Sequence, residues 1–279
     1  MSETLPEVAV RDAPPKIATI YERIMETTGV GSPALIYRHF AVFPGLLEWV
    51  WETVGPELES GRAISYALDA VSRTPVVPLP AVNIADMRAD GVDAEAHRTV
   101  DAMLATYNRM NPVNLSLITA IRDLVNPTAA PADVPPPPPA PAAPTASPMK
   151  LPAPVNLQEM PDDLRETVLA LSAAIPSPGT QVIPTLYRHL AIWPDFLRRL
   201  APGLLEAMSR GDVEKQMDTL NANMRPLIAD VAGRARDAAA PPLDDPAAMV
   251  RTLDSFLYTI PQLVVVGTAL RAALPVYEA

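Results

Sequence analysis

An eight-residue stretch occurs twice in this chain, and it constrains the fold more than any other feature. The first copy reads Tyr37-Arg38-His39-Phe40-Ala41-Val42-Phe43-Pro44, the second Tyr187-Arg188-His189-Leu190-Ala191-Ile192-Trp193-Pro194. Five positions are identical, and the other three exchange one apolar side chain for another. A proline lies shortly before each copy (Pro33, Pro184), and a leucine follows three residues after each closing proline (Leu47, Leu197). Such self-similarity marks an internal duplication, and a duplicated module needs an apolar face to bury.

The correspondence continues to the end of each copy. Arg98-Thr99-Val100-Asp101 answers Arg251-Thr252-Leu253-Asp254, Pro112 answers Pro261, and Thr119-Ala120-Ile121-Arg122 answers Thr268-Ala269-Leu270-Arg271. With 279 residues, each copy is long enough to close a core. The expected division is a loose N-terminus at 1–15, a first helical repeat at 16–125, a proline-rich linker at 126–154 and a second helical repeat at 155–279.

Apolar periodicity is helical throughout. Ile17, Ile20, Ile24 and Met25 form one face, which Gly29 stops. Ser32-Pro33 reads as N-cap and N1 of the helix that carries the first repeated segment. Pro44 is expected to end that helix and open the next, which stops near Gly55-Pro56. Ile64, Leu68 and Val71 mark a further helix, and 74–80 is a proline-broken loop. Asp93 caps a helix with Val100, Leu104 and Tyr107, which Asn111-Pro112 interrupts before an apolar helix at 113–125. In the second copy Leu164, Val168, Leu171 and Ile175 match the first helix. Asp212 caps a helix bearing Val213, Met217 and Leu220, and Asp245-Pro246 opens one bearing Leu253 and Leu257. No stretch combines period-two alternation with hairpin turns. The fold class expected is therefore all-α, with two tandem repeated helical domains forming an intramolecular pseudo-dimer.

The linker holds the proline run Pro135 to Pro139 among Ala, Pro and Thr, a composition that favours extended polyproline II. At about 3.1 Å per residue it reaches on the order of 80–90 Å, ample for a spacer. No Arg or Lys flanks a PxxP core, which argues against an SH3-type ligand.

Net charge is −10 and no basic cluster breaks it, so nucleic acid is not an expected partner. The absence of cysteine removes disulfides, thiolate nucleophiles and thiolate metal sites, and is compatible with a reducing compartment. The first sixteen residues show no basic stretch followed by an apolar run, and the longest apolar run, Leu263 to Leu270, is too short for a bilayer. A soluble cytoplasmic protein without membrane association is expected. The sequence leaves association into a homodimer open.

The layout of two helical halves, each with an aromatic-Arg-x-x-Ala-x-aromatic-Pro segment, and the sequence Asn111-Pro112-Val113-Asn114-Leu115 near the end of the first half resemble the group I 2-haloacid dehalogenases. The resemblance covers nearly the whole chain and implies a pseudo-dimer with its active site between the halves. It also implies hydrolysis of small 2-halocarboxylic acids to 2-hydroxy acids without metal or organic cofactor. In that chemistry an Asp activates a water that attacks the halogen-bearing carbon directly, and an Asn helps to hold the water. Asn114 matches that Asn. The Asp is expected just before the tyrosine of the second motif, where this chain has Pro184-Thr185-Leu186, and no Asp or Glu occurs between Glu166 and Asp195.

The resemblance thus implies Asn114 as the catalytic residue and Tyr37, Phe40, Thr185, Leu186, Tyr187 and Tyr258 as substrate-binding residues, with no metal. The residue types alone leave other roles open. Tyr37 and Tyr187 also suit core positions with a hydroxyl at the surface. Arg38 and Arg188 suit a bidentate carboxylate contact or an ion pair. His39 and His189 suit acid–base work, a symmetric metal pair or a bond to a backbone carbonyl. Asp195 suits a substitute base or a first-turn acid on the helix dipole. The function expected is a dehalogenase-like hydrolase for small 2-halocarboxylic acids, catalytically degenerate if no other base serves. The alternative is a non-enzymatic protein binding a small carboxylate or apolar ligand, and a third is a purely structural helical module.

Overall fold

The computed structural model describes residues 5–126, 135–137, 142, 151–175 and 183–276. Most of the proline-rich segment at 126–154 lies outside the described residues. Among those described, the chain is helical with no β-strand. The helices of the first copy are α1 (Pro15–Thr28), α2 (Leu35–Phe40), α3 (Leu46–Glu59), α4 (Arg62–Ser72), α5 (Ile84–Ala89) and α6 (Ala94–Val125). Those of the second are α7 (Asp162–Ala173), α8 (Thr185–Leu190), α9 (Pro194–Ser209), α10 (Asp212–Arg234) and α11 (Pro246–Ala273).

The chain forms two compact units, and each draws on both copies. The first unit is Met1–Arg73, Pro112–Lys150 and Ala222–Leu257; the second is Thr74–Asn111, Leu151–Asn221 and Tyr258–Ala279. The exchange is reciprocal. The opening helices of each copy keep the end of their own last long helix and take the middle segment of the other copy. The boundaries consequently fall inside α6, α10 and α11 as well as after α4 and within the proline-rich segment.

In the first unit, α1 turns Ile17, Ile20, Tyr21 and Ile24 inward and packs on α3. Its end follows the sequence: Gly29 adopts φ 71°, a left-handed turn in which its N–H reaches Met25 O at 2.9 Å. From α3, Trp49 Nε1 donates to Ala239 O at 2.6 Å, tying the front of the first copy to the borrowed segment. Arg122, late in α6, pairs with Asp254 at 2.9 Å.

In the second unit, α7 and α8 pack on α9, whose Phe196, Leu197, Leu200 and Leu204 are buried. Val82 N–H donates to Ala273 O at 2.9 Å. Arg271, late in α11, pairs with Asp101 at 2.9 Å. By the repeat, Arg271 answers Arg122 and Asp101 answers Asp254. Each arginine therefore pairs with an aspartate of the other copy.

Three sequence expectations need correction. Proline does not break the long helices: Pro56, Pro112, Pro202, Pro226 and Pro261 all lie inside them. A proline in a helix interior costs about 3 kcal/mol. Around Pro112, however, Val113, Leu115, Leu117, Ile118 and Ile121 are each at most 2% exposed, and burying one such side chain returns about 1.5–3 kcal/mol. The helix bearing the first repeated segment starts at Leu35, with Ala34 at its N-cap, rather than at Pro33. The N-terminus is also not loose throughout, because residues 6–8 are pinned by backbone and side-chain bonds. The caps at Asp93 and Asp245 are as expected: Asp93 Oδ1 accepts from Ala96 N–H at 2.9 Å, and Asp245 Oδ1 from Ala248 N–H at 2.9 Å.

Among the described residues, α11 alone is long and apolar enough to cross a membrane by length and composition. Of its apolar window 67% is buried inside the protein, the pattern of a core helix. It is longer than the apolar run suggested because Phe256 and Ile260 extend its buried face toward the N-terminus.

Within the second unit, α6 and α11 approach closely at Gly267. Asn108 Nδ2 donates to Gly267 O at 3.0 Å, and a methyl added at Gly267 collides with Asn108 Oδ1. Gly267→Ala is expected to displace Asn108, break that bond and lower unfolding stability by about 1–2 kcal/mol in urea titrations.

Candidate functional site

The repeated Tyr-Arg-His segments form the short helices α2 and α8, and each binds the extended chain that precedes the first helix of its copy. In the first unit, Val8 N–H donates to Arg38 O at 3.0 Å, Arg38 pairs with Glu7 at 3.0 Å, and His39 Nδ1 meets Pro6 O at 2.7 Å. Tyr21 OH adds a bond to Val8 O at 3.0 Å, and burial pushes its phenol up to about 12. In the second unit, Val155 N–H donates to Arg188 O at 3.1 Å, Arg188 Nε to Val155 O at 2.9 Å, and His189 Nε2 meets Pro152 O at 2.9 Å. The duplicated Arg and His thus hold an extended strap in each copy, a job that accounts for their repetition.

A carbonyl oxygen only accepts, so the histidine nitrogen facing it carries the proton. His39 is therefore protonated at Nδ1, and His189 at Nε2. The other nitrogen of His189, Nδ1, lies 2.7 Å from Tyr107 OH and accepts from it. Burial lowers the pKa of both histidines; the strap carbonyl opposes this in each, and the charge of Arg188 lowers His189 further. Both are accordingly neutral near pH 7.

The two repeated tyrosines are fully buried and each meets an amide. Tyr37 OH donates to Asn114 Oδ1 at 3.2 Å, so the first unit brings together two residues implied by the resemblance. Phe40 packs edge-on to Tyr37 in the same unit, with ring centroids 6.4 Å apart. Gln262 Nε2 reaches Tyr187 OH at 3.5 Å in the second unit. Burial raises the pKa of Tyr37 and of Tyr187 far above the usual phenol value, so both stay protonated donors and neither serves as a base. The Tyr37 bond engages the side-chain oxygen of Asn114, a residue that is 4% exposed.

Tyr37→Phe leaves the Asn114 oxygen buried without its donor, and a loss of about 1–3 kcal/mol is expected. Tyr187→Phe removes only a contact at the outer limit of a hydrogen bond, with a loss below about 1 kcal/mol. Chemical denaturation of the two variants side by side checks the difference.

Of the remaining candidates, Thr185 and Leu186 open α8, Thr185 half-buried and Leu186 fully buried. Tyr258 lies half-buried on α11, also in the second unit. Asp195, the nearest carboxylate to Leu186 in sequence, is exposed and bonded to Arg198 at 2.6 Å; it is a first-turn acid of α9. Among the described residues no group of three or more His, Asp or Glu could hold a metal ion. Tyr107 and Gln262 escape the repeat argument, because neither lies in a segment that the two copies share. Their pairing with α8 depends on contacts remote in sequence.

No family model matches the chain, and no curated protein sequence matches it. Solved structures do. A D-2-haloacid dehalogenase mutant in complex with D-2-CPA is similar with a TM-score of 0.70, at 16% identity over 98% of this chain and 96% of that one. Another mutant of a D-2-haloacid dehalogenase gives 0.75, and a D-2-haloacid dehalogenase in complex with L-LA also gives 0.75. Both are 16% identical over 98% of this chain and 97% of theirs. Over nearly its whole length this chain therefore has the all-helical fold of the D-2-haloacid dehalogenases.

Proposed function

We propose that this protein is a dehalogenase-like hydrolase whose chemistry has lapsed: it takes up small 2-substituted carboxylic acids but does not hydrolyse them. The observation that carries the reading is Leu186, 0% exposed at the place where the resemblance puts the water-activating Asp. Direct attack by water on a carbon–halide bond needs a base within about 3 Å of that water. Leucine takes no proton, Asp195 is engaged by Arg198, and Tyr37 and Tyr187 are locked as protonated phenols.

What persists is the polar and aromatic frame. In the first unit it is Asn114 with Tyr37 and Phe40, and in the second it is Thr185, Tyr187 and Tyr258. In this reading the copies act as an intramolecular pseudo-dimer, which the reciprocal Arg122–Asp254 and Arg271–Asp101 pairs support. The protein works in the cytoplasm without metal or organic cofactor. An active hydrolase is the second reading, favoured by the Tyr107–His189 pair, in which an imidazole nitrogen already accepts a proton donor at 2.7 Å.

Incubation with racemic 2-chloropropionate, following both halide release and the melting temperature, separates these readings. The expected result is a raised melting temperature with halide release no greater than in buffer. Halide release proportional to protein concentration overturns the lapsed reading in favour of the active one. An unchanged melting temperature without halide removes both and leaves a purely structural module.

A further inference from the structure

We propose that Asn111 anchors the carboxylate of a small organic acid within the second unit, beside the Tyr107–His189 pair. This rests on the carboxylic-acid reading above and names a donor for it. Asn111 is 8% exposed on α6, and its Nδ2 has no hydrogen-bond partner among the described residues. Buried donors are almost always satisfied, because an unpaired one forfeits its bonds to water and gains nothing in return. A donor held dry and unpaired at a fixed place is one prepared for an acceptor that arrives from outside.

The neighbouring groups show why the protein itself does not supply that acceptor. Tyr107, four residues earlier and on the same face of α6, has its hydroxyl committed to His189 Nδ1 at 2.7 Å. The other nitrogen of His189 is committed to Pro152 O at 2.9 Å. Asn108 Oδ1, three residues earlier, is a buried acceptor also without a partner among the described residues, but the bond from Asn108 Nδ2 to Gly267 O at 3.0 Å holds it in the space left by the missing side chain of that glycine. These bonds fix α6 against α8 and α11 and hold the amide of Asn111 in a rigid setting.

The sign of the local charge selects the acceptor. The guanidinium of Arg188 acts on both Tyr107 and His189, and its own Nε is bonded to Val155 O at 2.9 Å, so its charge is held in place. One neutral donor in a fixed positive field suits a monoanion such as a carboxylate.

Calorimetric titration of the full chain with sodium 2-chloropropionate and with sodium propionate tests the assignment, using wild type, Asn111→Leu and Asn111→Asp. The wild type is expected to bind both acids. Asn111→Leu removes an unpaired buried amide, so its ligand-free melting temperature is expected to equal or exceed that of the wild type while affinity falls about ten-fold or more. Asn111→Asp sets like charges against each other and is expected to abolish binding. Wild-type affinity in Asn111→Leu overturns the anchor while sparing the carboxylic-acid reading. A lowered melting temperature or failure to fold in Asn111→Leu also overturns it, since the amide is then structural. No binding by the wild type removes both.

Discussion

Replacing His189 with alanine is expected to lower unfolding stability by about 3–5 kcal/mol, roughly twice the loss from the same change at His39. The difference lies in the number of buried polar groups left behind. At His189 the imidazole satisfies Pro152 O with one nitrogen and Tyr107 OH with the other, and removing it orphans both. Each orphan costs about 1–3 kcal/mol. At His39 a single bond, to Pro6 O, is lost. The acid limb carries a second signature. Burial holds the folded pKa of both histidines below the unfolded value of about 6.5, so the unfolded chain binds more protons between those two values. Stability is thus complete above the unfolded value, falls as pH drops below it, and levels off once the folded value is passed. Urea titrations from neutral to acidic pH should show a shallower fall in His189→Ala than in the wild type. An equal slope in both would mean that His189 takes up its proton as readily in the folded protein as in the unfolded chain.

The larger effect on activity is expected at Leu186. Leu186→Asp should release halide from 2-chloropropionate, whereas the wild type and Leu186→Asn should release none. A carboxylate at this point of α8 can take the proton that leucine and asparagine cannot. The exchange has a structural cost, because Leu186 is 0% exposed: about 1.5–3 kcal/mol of apolar burial is lost, and a buried carboxyl resists ionisation. The destabilisation should therefore deepen as pH rises, since the charged form is the one that burial disfavours. Circular dichroism melts across neutral pH check the stability part, and halide electrode readings the chemistry. A folded Leu186→Asp protein that releases no halide would mean that the missing carboxylate is not the only lapse.

Much of this was legible in the chain itself. The duplicated Tyr-Arg-His segment lies on two short helices, and Gly29 ends one helix and Asp93 caps another as expected. What the residues could not reveal is non-local. Helical periodicity identifies the face to be buried but not the segment that covers it, so the crossing of 74–111 and 222–257 between units left no local mark. Proline was weighed as a breaker because its cost is local, whereas the burial that outweighs it at Pro112 comes from packing. The strap at residues 6–8 looked loose because its partners, Arg38 and His39, lie some thirty residues away. Tyr107, without a matched neighbour in the other copy, gave no signal that it would meet His189.

The proposed reading rests on an exchange of segments between two copies of one helical module, and expressing the first copy alone tests it most directly. Residues 5–126 lack the segment 222–257 that completes the first unit. By analytical ultracentrifugation and urea unfolding, this fragment should not form a cooperatively folded monomer. It should fold only by associating, with a second copy of itself or with added residues 151–276. A monomeric fragment that unfolds cooperatively would show that each copy closes its own core, and would contradict the exchange.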